Sequence, residues 1–282
     1  MKLAAVFAVV LWAATAAAAD RRVVVDPNTP PWNAIAKVQT NIGERCTGAL
    51  IAPSVVLTAA HCLYNPLTRA LLEAVSLHVL FGYQRDTYRW HRLVARITIG
   101  PGFDGRVPRP QPGDWARLEL TQPVPVTPLP LLGTPVSAGM AVALAGYNQD
   151  REQLLLADLA CQVERVVRLP GGARFLIHDC AATRGTSGAP LLVRQGDKWA
   201  IVGINIAAGR AANLALAIPP QVAPQPNRPE RGKPCGTPCP APPRAPRHGV
   251  RSISVRVRFS PWRHDSPSAR RNTVASLRPP ER

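Results

Sequence analysis

Within Cys180-Ala-Ala-Thr-Arg-Gly-Thr-Ser-Gly-Ala-Pro-Leu191 one serine, Ser187, sits between small residues in a tight turn ahead of an apolar run. A serine hydroxyl attacks a carbonyl only when a base takes its proton and backbone N–H groups stabilise the oxyanion that forms. Gly185 and Gly188 leave the backbone free to turn its amides toward such a carbonyl. Ordinary turns also use this quartet of small residues, so the chemistry needs a base and an orienting carboxylate elsewhere. His61, in Leu57-Thr-Ala-Ala-His-Cys62, offers an imidazole that can accept the serine proton and return it to a leaving amine. Asp114, in Gly113-Asp-Trp-Ala-Arg-Leu-Glu-Leu120, offers a carboxylate at the head of an apolar run, where it can orient that imidazole and stabilise its cation. Asp104, in a loop between Phe103 and Gly105, is the weaker rival for that task. His78, His91, His178, His248 and His264 stand in no comparable setting, although His178 lies close to the Ser187 stretch.

In the chain order His61, Asp114, Ser187, these three stretches resemble the trypsin-like serine proteases, and within them the bacterial secreted, glutamyl-endopeptidase-like branch. The resemblance spans roughly residues 22 to 219, with Thr-Ala-Ala-His-Cys its most specific part. It implies a serine endopeptidase working through a Ser187–His61–Asp114 triad and an acyl-enzyme, with Gly185 and Ser187 lending oxyanion-hole amides. It also implies a disulfide between Cys46 and Cys62, and Cys161 with Cys180 is the second expected pair. Substrate is expected against Ala181, Ala182, Thr183, Ile204, Asn205 and Ile206, with extended substrate backbone pairing along Ile204–Ala207. No cofactor or metal is expected. The chain departs from the pattern at Thr186, where the animal enzymes have an aspartate, and at Ala189, where they usually have glycine. Ala181 stands where trypsins place an aspartate, and Asn205 where glutamyl endopeptidases use a histidine, so neither a basic nor an acidic preference is written into the pocket. The competing reading is a protease-like protein that binds without cleaving.

Positioning three side chains from distant stretches requires a rigid frame. Short apolar or alternating runs recur at residues 34–42, 46–51, 55–58, 76–83, 92–99 and 115–120, and again at 140–146, 161–168, 174–178, 190–194, 199–206 and 214–218. Helical periodicity is weak, confined to one turn at residues 59–63 and a candidate at 68–75. Thr121–Pro135 is too rich in proline for a central strand and reads as an extended connector. Two sets of six strands about a connector predict an all-β chain of two six-stranded antiparallel barrels, one over about residues 23–120 and the other over 136–219, with the active site in the cleft between them.

Residues 1–19 pair an early lysine with an apolar run and Ala17-Ala-Ala19, the layout of a cleaved signal peptide, and predict a secreted or periplasmic protein. In an oxidising compartment, six cysteines favour disulfides over zinc. The dibasic pair Arg21-Arg22 reads equally as a processing site or as surface arginines. From residue 220 the composition shifts: 14 of the 31 prolines fall in 220–282, along with Cys235 and Cys239, and disorder is expected there. The formal charge of +17 is also uneven, since residues 220–282 hold 13 Lys or Arg against 3 Asp or Glu. The catalytic unit, less basic than the tail, calls for a polypeptide substrate and no nucleic acid, and a monomer is expected; the tail could tether the chain to anionic surfaces.

Overall fold

The computed structural model describes residues 20–223 apart from 109, 133–134 and 210–211. The signal-like segment, the tail with Cys235 and Cys239, and His248 and His264 lie outside the described residues. Thirteen strands follow in order: β1 (Val23–Val24), β2 (Ile35–Thr40), β3 (Arg45–Ala52), β4 (Val55–Thr58), β5 (Leu77–Phe81), β6 (Trp90–Ile99), β7 (Ala116–Leu120), β8 (Ala141–Tyr147), β9 (Leu155–Arg168), β10 (Arg174–His178), β11 (Pro190–Gln195), β12 (Lys198–Ala208) and β13 (Asn213–Ala217).

Six of them, in the order β2-β3-β4-β7-β6-β5, close into one antiparallel barrel. β7 shows why these residues form strands: Ala116, Leu118 and Leu120 are buried while Arg117 and Glu119 between them are not, the period-two pattern of a half-buried strand. Leu50, Leu57, Leu77, Phe81 and Leu118 are fully buried in this half. The second barrel runs β9-β10-β13-β12-β11-β8, and β8 returns to pair with β9. Leu144, Val163, Leu176, Leu191, Val202 and Ala215 pack together in its core. Closure leaves neither sheet with a long unpaired edge.

Three sequence expectations are corrected. Val23 and Val24, grouped by sequence with the first half, pair with Ala157 and Leu156 of β9 in the second barrel. The catalytic unit as a whole also continues past residue 219: Pro220–Val222 forms a 3-10 turn whose Val222 side chain is fully buried. The helix candidate at 68–75 does not form: only a 3-10 turn at Ala74–Ser76 is present, and Leu71 and Val75 stay exposed, with no apolar face buried to support a helix. The proline-rich connector touches both barrels. The Leu129 amide donates to the Leu50 carbonyl at 2.9 Å and the Leu132 amide to the Ile201 carbonyl at 2.8 Å.

Candidate active site

β4 ends at Thr58 and runs into a 3-10 turn, Ala60–Leu63, that carries His61. A Cys46–Cys62 disulfide ties this turn to β3. Asp114 precedes β7, so the register of two neighbouring strands of one barrel sets the distance between acid and base. The His61 ring Nδ1 lies 2.8 Å from Asp114 Oδ2, and the His61 backbone N–H donates to Asp114 Oδ1 at 2.9 Å. Nε2 lies 2.9 Å from Ser187 Oγ. The carboxylate is 0% exposed and the imidazole 14%, so the contact is shielded from water on the Asp114 side and reachable on the Ser187 side. With the Nδ1 proton donated to the carboxylate, Nε2 presents its lone pair to the serine hydroxyl. Asp104 turns inward on its own loop, where Oδ1 accepts the Arg106 amide at 2.9 Å.

Ser187 lies between β10 and β11, in a loop built on two glycines with φ of +91° (Gly185) and +79° (Gly188). A Cβ on Gly188 would fall 2.2 Å from the Thr47 carbonyl oxygen, so the loop seats against β3 only with glycine there. Thr47 pins it twice: its amide donates to the Ser187 carbonyl at 2.9 Å, and its hydroxyl to the Gly185 carbonyl at 2.9 Å. Among the described residues no acceptor takes the amides of Gly185 and Ser187. The second disulfide, Cys161–Cys180, anchors the start of this stretch to β9.

Thr186 is buried beneath the loop beside Asn205 and His178. The Asn205 amide nitrogen faces the carbonyls of Leu214 (3.2 Å) and Ala207 (3.3 Å) and the His178 Nε2 (3.1 Å), while its oxygen accepts from Thr186 Oγ1 at 3.2 Å. Burial holds the His178 imidazole near a pKa of about 4, and so neutral. His178 is therefore a core residue under the loop.

The residues expected to meet substrate are only partly brought to the surface. Ala181, Ala182 and Thr183 are half-buried, whereas Ile204, Asn205 and Ile206 are buried. Ile204 pairs with Pro190 on one side and Leu216 on the other, and the Asn205 amide and carbonyl are taken by Ala189 and Gly188. The stretch expected to receive substrate backbone thus shifts: β12 has a neighbour on the β13 side alone from Ile206 to Ala208, and a free edge begins there. A cavity of about 450 Å³ opens at Ser187, which lines it with the Cys46–Cys62 disulfide, His61, Tyr147, Gln149, Arg184 and Gly185 among others. None of the six residues expected for substrate binding lines it. Lys37 does, and sequence passed over it as one more strand residue. Its ammonium donates to the Glu152 carbonyl at 3.1 Å and sits 4.0 Å above the Tyr83 ring, and burial lowers its pKa. Only its placement between Ala36 and Val38 in the apolar start of β2 marked it.

A family model for trypsin matches residues 22–223. Among solved structures, a Glu endopeptidase in complex with MPD shares the fold with a TM-score of 0.60 and 21% identity, covering 71% of this chain and 92% of its own. With a family match across the two barrels that bring His61, Asp114 and Ser187 together, the chain belongs to the trypsin family and is a serine endopeptidase.

Proposed function

We propose that Ser187, His61 and Asp114 act as nucleophile, general base and orienting carboxylate in the hydrolysis of peptide bonds. The observation that carries this reading is the unbroken relay from a buried carboxylate through both ring nitrogens to a serine oxygen, with contacts of 2.8 and 2.9 Å. In the first half-reaction Ser187 Oγ bonds to the scissile carbonyl carbon as its proton passes to His61 Nε2. The carbonyl oxygen becomes an oxyanion facing the Gly185 and Ser187 amides. His61 then returns the proton to the leaving amine, the C–N bond breaks and an ester to Ser187 remains. Water, deprotonated by the same nitrogen, attacks that ester and restores the serine. Asp114 accepts from the ring Nδ1–H and stabilises the imidazolium at each step.

No substrate preference is carried over from the Glu endopeptidase. The matching position here is Asn205, whose amide is engaged with Thr186, His178 and two carbonyls beneath the loop. The protein works as a monomer outside the cytoplasm, where two disulfides persist.

A fluorophosphonate probe and a peptide library test this reading together. The mature chain is expected to be labelled at Ser187 and to cleave peptides, and Ser187→Ala to lose labelling and at least about 10⁴-fold in kcat. Equal turnover by Ser187→Ala and the unaltered chain would overturn the reading.

A further inference from the structure

The dibasic pair Arg21-Arg22, which sequence left open between processing site and ordinary surface, is bonded to groups that in turn hold the stretch leading to Ser187. The Arg22 side chain is only 9% exposed, and all five of its N–H bonds are taken. Nη1 donates to Asn148 Oδ1 (2.8 Å) and Asp150 Oδ1 (2.9 Å), Nη2 to Asp150 Oδ2 (2.6 Å) and Asp20 Oδ2 (3.0 Å), and Nε to Asp20 Oδ1 (2.9 Å). Asn148 and Asp150 are the same groups that hold Thr183. The Thr183 amide donates to Asn148 Oδ1 at 3.1 Å, and its hydroxyl lies 3.0 Å from Asp150 Oδ1. One residue on, the Gln149 amide donates to the Arg184 carbonyl at 2.7 Å. That carbonyl belongs to the peptide group whose nitrogen is the Gly185 amide, so the turn at 148–151 fixes the direction in which that N–H points.

We propose that Arg22 is a positioning residue for the oxyanion loop, acting through Asn148 and Asp150 to hold the Gly185 amide in its working direction. The proposal rests on the triad reading above. Its physical basis is the fork geometry of guanidinium, which donates five bonds to two carboxylates and an amide oxygen at once, where an ammonium has only three N–H bonds to give. The bonds from Arg22 hold the Asp20 carboxyl at about 2 and keep Asp150 below the usual carboxylate range, so the network stays charged at every pH where the enzyme can be assayed. Without the guanidinium, Asp20 and Asp150 face each other as like charges and the turn moves away from Thr183. Arg21 reinforces the other end of the same stretch: it pairs with buried Asp158 at 3.0 Å, whose Oδ2 accepts the Ala181 amide at 2.7 Å.

The test is steady-state kinetics per titrated active site on the full mature chain, with Arg22→Met, Arg22→Lys and Asp150→Asn, beside Ser187→Ala and the unaltered chain compared per mole of protein. Removing an oxyanion donor outright costs about 10²- to 10³-fold in kcat, so misdirecting one is expected to cost about tenfold or more. Arg22→Met should lose that factor in kcat with KM within twofold, and should weaken a peptide boronate, whose tetrahedral adduct uses the same amide, by a like factor. Arg22→Lys should fail to restore it. Asp150→Asn, which keeps Arg22 in place, should move in the same direction by less, and it carries the test if Arg22→Met does not fold. Arg96→Met, which breaks an exposed ion pair with Glu119, is the control and should change nothing. Unaltered kcat and boronate affinity per titrated site in Arg22→Met or Asp150→Asn would overturn the proposal, as would full rescue by lysine. Failure of the triad reading is distinguishable, because Ser187→Ala would then match the unaltered chain whatever Arg22 does.

Discussion

At the scale of single residues, the chemistry rests on groups whose surroundings leave them one state. Asp114 has no water-facing surface and takes two bonds from His61, so the imidazole has one favoured tautomer and one free lone pair. His178 shows the opposite use of burial. It has no exposed surface, its Nδ1 has no partner among the described residues, and its pKa falls from 6.5 to about 4. In the unfolded chain the same imidazole takes a proton near its ordinary value, so between these two pH values the unfolded state binds the proton and the folded state does not. The contribution to stability is whole above pH 6.5, declines as pH falls toward 4 and changes no further below it. The difference in pKa corresponds to roughly 3 kcal/mol. Urea midpoints measured from pH 7 to 4 should fall accordingly, and His178→Leu should flatten that part of the curve, since Asn205 keeps the carbonyls of Leu214 and Ala207 as partners. An unchanged slope in His178→Leu would assign the acid sensitivity to other groups.

At the scale of elements, the legible parts were those where one strand face is buried and the other is not. β7 was delimited to within a residue because alternation ends where the strand does. β9 was placed at residues 161–168 although it begins at Leu155, because Leu155-Leu-Ala-Asp158 is buried throughout and carries no period-two signal. That half lies between β8 and β1, and the pairing of β1 with β9 joins residues more than a hundred positions apart, beyond the reach of any local pattern. For the same reason the motif residues of the site were readable and the Arg22 network was not: His61, Asp114 and Ser187 sit in distinctive neighbourhoods, whereas Asn148 and Asp150 acquire a role only when the N-terminal segment folds beneath them. Asp20–Val24 is held there by side chains and two strand residues, with Thr186 in place of a carboxylate that could receive a terminal amine. Adding a few uncleavable residues upstream of Asp20 is therefore expected to leave turnover within about threefold, because the held groups lose none of their partners. A hundredfold loss in peptide hydrolysis would mean that a free terminus takes part.

At the scale of the whole molecule, the boundary between the catalytic unit and the basic C-terminal region is set by packing, and it falls later than composition indicates. The composition shifts at Pro220, yet Val222 is fully buried and the Arg117 guanidinium donates to the Ala223 carbonyl, so the last turn closes against the first barrel's own strand β7. Two truncations separate these views. Ending the chain after 223 keeps every contact among the described residues, and melting temperature and peptide hydrolysis are expected to match those of the full chain. Ending it after 219 removes the valine and should cost about 1.5 to 3 kcal/mol, seen as a lower melting temperature. The same pair reports on charge, because residues 220–282 carry 13 of the 34 Lys and Arg against 3 of the 17 Asp and Glu. If those residues tether the enzyme to anionic surfaces, the full chain will be retained on anionic vesicles at low salt and released as salt rises, while the chain ending at 223 will not be retained. Equal retention of the two would place any surface affinity in the catalytic unit and leave the C-terminal charge without that role.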